Sequence, residues 1–96
     1  MAAYVIAQLQ VDEVDTYNEY ALAIGPTVAP FGGRLLVAAN DATVLEGAQP
    51  YPRTVIGEFP TIEAARGWYD SPAYAEIRTK RIASARGAVF IVEGLT

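Results

Sequence analysis

The spacing of apolar residues along this chain switches between two and three-to-four, and each switch marks the edge of an element. Tyr4–Val11 alternates, with Val5, Ala7, Leu9 and Val11 on one face and Tyr4, Ile6, Gln8 and Gln10 on a mixed one, which predicts a first strand. Asp12 is expected to cap the following helix, and Asp15 adds negative charge to its first turn. Val14, Tyr17, Ala21, Ile24 and Val28 then recur as an amphipathic stripe. Gly25-Pro26 falls inside that stripe and predicts a kink or short break, and Phe31-Gly32-Gly33 ends the helix.

Arg34–Ala39 reads as the second strand and Asn40-Asp41 as a turn. Thr43–Glu46 is expected to return as a short hairpin arm, and Gly47–Pro52 is a loop by its glycine and prolines. Arg53–Phe59 is the third strand, where Gly57 marks a bulge or a close backbone approach. Pro60 stops it, and Thr61 caps a helix through Tyr69 with Glu63 in its first turn. Ser71-Pro72 is a second start signal, a capping hydroxyl followed by proline at the first helical position. Tyr74, Ile77 and Arg81 share a face of that helix, and Ala88–Glu93 is the fourth strand.

The order β-α-β-β-α-β predicts one α+β domain over residues 1–96. It is ferredoxin-like, with a four-stranded antiparallel sheet and its second helix split in two. Such a sheet, with helices on one face, should alternate between apolar and polar residues. These strands do not. Val55 and Phe59 oppose Ile56, Phe90 and Val92 oppose Val89 and Ile91, and Leu35 opposes Leu36. The uncovered face needs a lid, and the simplest is the same face of a second copy, giving a two-fold homodimer, a dimeric α+β barrel.

Composition narrows the chemistry. The chain is 52% hydrophobic and 19% charged, which excludes disorder, and a formal charge of −4 offers no basic face for nucleic acid or an anionic membrane. Arg78, Lys80 and Arg81 cluster near Glu76 and are expected to form a solvated face. With no cysteine and no histidine, disulfides, thiolate nucleophiles, Cys/His zinc sites and imidazole bases are excluded. No signal peptide and no apolar run of membrane-spanning length is read, so a cytoplasmic protein without cofactor or metal is expected.

Tyr17, Tyr20, Trp68, Tyr69 and Tyr74 lie on the helices that should cover the sheet. Core packing is the expected role of Tyr17, Trp68 and Tyr74, although a ring with a polar tip equally suits a pocket wall, the ligand role considered for Trp68. Tyr20, one position off the stripe, is placed to border a cleft. Arg34 and Arg53 each begin a strand, either paired with Glu46 or Glu58 or clamping a ligand carboxylate. Glu46 and Glu58 are the candidate bases, and burial among apolar residues is expected to raise the Glu58 pKa.

Tyr17 and Tyr20, Gly32-Gly33-Arg34, Glu46, Arg53, Glu58-Phe59-Pro60 and Trp68-Tyr69-Asp70-Ser71-Pro72 followed by Tyr74 together resemble the family of domain of unknown function 1330. The likeness runs from Tyr4 to Leu95 and departs at Ala39-Asn40-Asp41, where relatives commonly carry Arg-Gly-Gly. It implies the wider dimeric α+β barrel superfamily, with its small monooxygenases, isomerase-like proteins and stress-responsive barrel proteins, and it lends no catalytic residue. Two functions follow as expectations. One is a small, partly apolar ligand held in a helix–sheet cleft bordered by Tyr20, Arg34, Glu46, Arg53 and Trp68, with cofactor-independent isomerase or monooxygenase-like chemistry if the protein is an enzyme. The other is a non-catalytic, stress-related dimeric binding or scaffold protein.

Overall fold

The computed structural model describes residues 1–96. Strand β1 (Ala3–Val11) lies inside an antiparallel sheet of order β2-β3-β1-β4, where β2 is Arg34–Ala39, β3 is Arg53–Phe59 and β4 is Ala85–Glu93. The register sets Ala3 opposite Phe59 and Glu93, and Leu9 opposite Arg53 and Gly87. The pleat buries Ala3, Val5, Ala7 and Leu9 on one side and leaves Tyr4, Ile6, Gln8 and Gln10 half-exposed on the other. Helices α1 (Val14–Val28), α2 (Ile62–Asp70) and α3 (Pro72–Ser84) cover the buried side only. The chain is thus the expected ferredoxin-like α+β unit with its second helix split, two layers deep at 31 × 30 × 16 Å.

The split is local chemistry. The Ser71 hydroxyl donates to the Trp68 carbonyl at 2.7 Å, closing α2, and accepts from the Tyr74 N–H at 3.3 Å, opening α3. Thr61 opens α2 in the same way, accepting from the Ala64 N–H at 3.0 Å.

Several local expectations are corrected. Asp12 does not cap α1: Glu13 holds the cap position without a side-chain bond, and the N–H groups of Asp12 and Glu13 both donate to the Ser84 carbonyl. The Asp12 carboxylate instead accepts from Arg86 Nε at 3.0 Å, a cation delivered by β4. Gly25-Pro26 does not break α1. Pro26 lies in the last turn, and the carbonyl it leaves unpaired belongs to solvent-facing Leu22, where water can serve it. A 3₁₀ turn over Ala29–Phe31 and a left-handed Gly32 then end the helix.

Thr43–Glu46 forms no hairpin arm. β2 pairs only with β3, and residues 40–52 cross between them without regular structure. The bulge foreshadowed by Gly57 lies on its partner, with Leu36 the extra residue between Leu35, opposite Gly57, and Val37, opposite Ile56. Finally, β4 begins at Ala85, three residues earlier than its apolar run. Gly87 makes this possible: at φ 147° a Cβ there would strike the Gln8 carbonyl.

No element of this chain covers the other face. The register lines up Val37, Ile56, Ile6 and Phe90 across the four strands, with Val92 beside Tyr4. Phe90 and Val92 remain 40% and 43% exposed.

Candidate functional site

The space between helices and sheet is filled largely by aromatic rings. Tyr17 and Tyr20 come from α1, Phe59 from β3, Trp68 and Tyr69 from α2 and Tyr74 from α3. Trp68 lies 4.1 Å from Tyr74 and 5.3 Å from Phe59 between ring centroids, and its indole N–H donates to Thr27 Oγ1 at 3.0 Å. Thr27 in turn donates to the Ile24 carbonyl at 2.6 Å, so the polar tip of Trp68 is satisfied within the core.

The phenols of Tyr20 and Tyr74 share a hydrogen bond of 2.7 Å, and Arg81 Nε donates to the Tyr74 oxygen at 3.3 Å. Arg81 is 8% exposed and stands in no ion pair with a carboxylate. Burial works against its charge, but the phenol oxygens of Tyr74 and Tyr20 outweigh that, and its pKa ends above the ordinary arginine value. Burial, reinforced by the Tyr74 phenol, pushes the Tyr20 hydroxyl well above the ordinary tyrosine value. The set is therefore two hydrogen-bonded phenols beside a permanent cation. A cavity of about 30 Å³ opens against it, lined by Tyr20, Trp68, Tyr74 and Arg81 with Val5 and Val89 of the sheet. It has room for about one water-sized group.

Outside it, α2 stands off from β4 and leaves a groove of about 970 Å³. Val5, Val89 and Ile91 line its sheet side and Ile62 and Tyr69 its helix side, with Glu63, Arg66 and Asp70 also along α2. Arg66 pairs with Asp70 at 3.1 Å. A third, more polar hollow of about 390 Å³ sits at the far end of the sheet, where Arg53 Nε donates to the Tyr17 hydroxyl at 2.9 Å and Nη1 to Asn40 Oδ1 at 3.3 Å.

The structure brings together Tyr20 and Trp68 of the residues singled out by sequence, through Tyr74. Arg34 lies on the open sheet face, paired with Glu58 at 2.9 Å, and Tyr4 donates to the same carboxylate at 3.1 Å. These hydrogen bonds, that of Arg34 first, lower the Glu58 pKa below the ordinary carboxylate value, the reverse of the expected rise. Glu46 is exposed in the loop without a hydrogen bond or ion pair, and Arg53 sits in the far hollow. Arg81 is the residue that sequence reasoning misplaced on a solvated face. The signal was its spacing: seven residues after Tyr74 is two helical turns, which returns to the same buried face.

Comparison with known proteins agrees with this architecture. The family model described as Domain of unknown function (DUF1330) matches residues 2–95. The protein of unknown function RPA0582 from Rhodopseudomonas palustris superposes with a TM-score of 0.80 at 18% identity, over 99% of this chain and 83% of that one. A dimeric ferredoxin-like protein of unknown function from Jannaschia sp. CCS1 superposes with 0.79 at 16% identity, over 98% and 100%. SnoaB, a cofactor-independent oxygenase from Streptomyces nogalater, superposes with 0.66 at 9% identity, over 99% and 94%. Among curated proteins nothing matches.

Proposed function

The chain belongs to the family Domain of unknown function (DUF1330), and from its geometry we propose a homodimer, joined through the open sheet faces, that holds a small, partly apolar molecule between helices and sheet. The observation that carries the ligand reading is Arg81, a largely buried guanidinium that lines a cavity with one phenol, that of Tyr74, as its only hydrogen-bond partner. Arg81 keeps only a narrow edge in water and has no carboxylate partner, and a ligand oxygen bearing negative charge would supply the missing counter-charge. The dimer reading rests on the apolar stripe of Val37, Ile56, Ile6 and Phe90, and on the dimeric ferredoxin-like relative of the same shape.

If the protein is an enzyme, it works without a cofactor and in the manner of an isomerase or oxygenase. Two phenol hydroxyls and a fixed cation are suited to holding an oxyanion as it develops. The likeness to SnoaB shares fold alone and supports this only by analogy. No helix is long and apolar enough to cross a membrane, and a cytoplasmic setting is part of the proposal.

Native mass spectrometry of protein purified from its own host reads both parts. The expected species is two subunits of 10.3 kDa with added small-molecule mass. A dimer without added mass, together with a blank thermal-shift screen of metabolites, overturns the ligand. The second reading, a non-catalytic stress-related dimer, draws on the smallness of the inner cavity, and that result would favour it.

A further inference from the structure

The inner cavity and the groove beside α2 share a wall: Val5 and Val89 line both. Tyr69 stands at the same partition. Its ring packs on Trp68 at 6.2 Å and on Tyr74 at 5.6 Å, and it also lines the groove. Arg78 holds it from outside, donating to the Tyr69 carbonyl at 3.1 Å with its guanidinium 4.6 Å from the ring centroid. Neither space is a complete site. The inner one has polar groups and almost no volume; the outer one has volume and an apolar sheet floor.

We infer that the two spaces are the ends of one binding site for a flat apolar molecule carrying a single anionic oxygen group, a carboxylate or a phenolate. The apolar body lies in the groove on Val5, Val89 and Ile91, and the anionic oxygen passes between the two valines to Arg81. This inference rests on the ligand reading above and adds the ligand's charge, its direction and its route.

The polarity follows from a count of donors. A guanidinium has five N–H groups and accepts nothing, and Arg81 uses one of them, on Tyr74. The two phenols have one proton each and share one hydrogen bond. Tyr74 receives from Arg81, so it can donate to Tyr20 and leave the Tyr20 proton for the ligand. Arg81 lines the cavity with N–H groups to spare, so what the site offers is donors beside a positive charge, and an ammonium group would find repulsion there. The groove sets the direction. Two carboxylates, Glu63 and Asp70, stand against one guanidinium, Arg66, and turn an anionic head away from α2 toward Arg81. Size limits the head: a cavity of about 30 Å³ takes one oxygen-sized group, and a carboxylate enters only as Tyr69 yields.

Three probes with one bicyclic body separate the outcomes: 2-naphthoate, 2-naphthol and 2-naphthylmethylamine, with unsubstituted naphthalene as the reference, titrated by calorimetry with quenching of Trp68, the single tryptophan, as the local signal. The expected result is binding of the naphthoate or the naphthol, and binding of the amine at least about 10-fold weaker, the worth of one charged hydrogen bond. Tighter naphthoate identifies a carboxylate ligand, and tighter naphthol whose affinity rises with pH as its hydroxyl ionises identifies a phenolate. Arg81→Met should cost the better oxyanion about 10-fold or more and leave naphthalene within about 3-fold. Val89→Phe, which leaves Arg81 untouched, should abolish binding of all three and keeps the test open if Arg81→Met does not fold. Equal affinity for the amine, or Val89→Phe without effect, overturns the inference. If native mass spectrometry finds a retained molecule that 2-naphthoate and 2-naphthol do not displace, the inference falls while the ligand reading stands. If no probe binds and no molecule is retained, both fall.

Discussion

Replacing Tyr74 by Phe tests whether the buried Tyr20–Tyr74–Arg81 chain is one coupled unit. The ring is kept, so its packing on Trp68 at 4.1 Å survives, and only the hydroxyl is lost. That loss strands two groups at once: the Tyr20 hydroxyl loses its 2.7 Å partner, and Arg81 Nε loses its only acceptor. A stranded buried polar group costs about 1–3 kcal/mol, so Tyr74→Phe, which strands two, should cost about 2–6 kcal/mol. Against a total stability of about 5–15 kcal/mol this is a large loss. Tyr20→Phe is milder, because Tyr74 still receives from Arg81; about 1 kcal/mol is expected. The double variant decides. With both hydroxyls gone only Arg81 is stranded, and the cost should fall to about 1–3 kcal/mol, no more than for Tyr74→Phe alone. Urea unfolding at one fixed protein concentration measures all three, since association would otherwise shift the midpoints. If the two single costs add to within about 0.5 kcal/mol, the hydroxyls act independently and the coupled chain is refuted.

Three other outcomes are expected. Ile56→Lys, placed between Ile6 and Val37 on the open face, should convert a dimer to a lone 10.3 kDa subunit in sedimentation; an unchanged dimer would mean that this face is not the contact. Glu58 has a lowered folded pKa, so its contribution is present above the unfolded value near 4.5 and is lost as pH falls from there through the folded value. Glu58→Gln should therefore flatten the fall in Tm on acidification over that window, and an unaltered slope refutes it. Gly33→Ala would bring a Cβ to 2.5 Å from Phe59 Cε1, on a ring that is 1% exposed and packed on Trp68. Overpacking of this kind costs about 1–3 kcal/mol, several degrees of Tm by calorimetry, and a Tm equal to that of the parent would show that the ring gives way freely.

The sequence by itself determined the elements, because their signals are carried by neighbours along the chain. The alternation of Tyr4–Val11 needs only the pleat, and Ser71-Pro72 splits the second helix through bonds that reach three residues either way. The apolar residues on both faces of the strands were equally legible, and with them the bare face that one subunit cannot cover. Tertiary structure decided what depends on distant partners. Asp12 reads as a cap until β4 brings Arg86 to it, 74 positions away. Gly87 interrupts an apolar pattern, yet extends β4 because only a residue without a Cβ passes the Gln8 carbonyl. Arg81 shares a helix face with Tyr74, but its burial depends on the sheet behind it and on Tyr20, 54 positions from the phenol they share. A period along the chain reports which way a side chain points. The partner it meets there, and so whether a charge is solvated or stranded, is set by how the layers close.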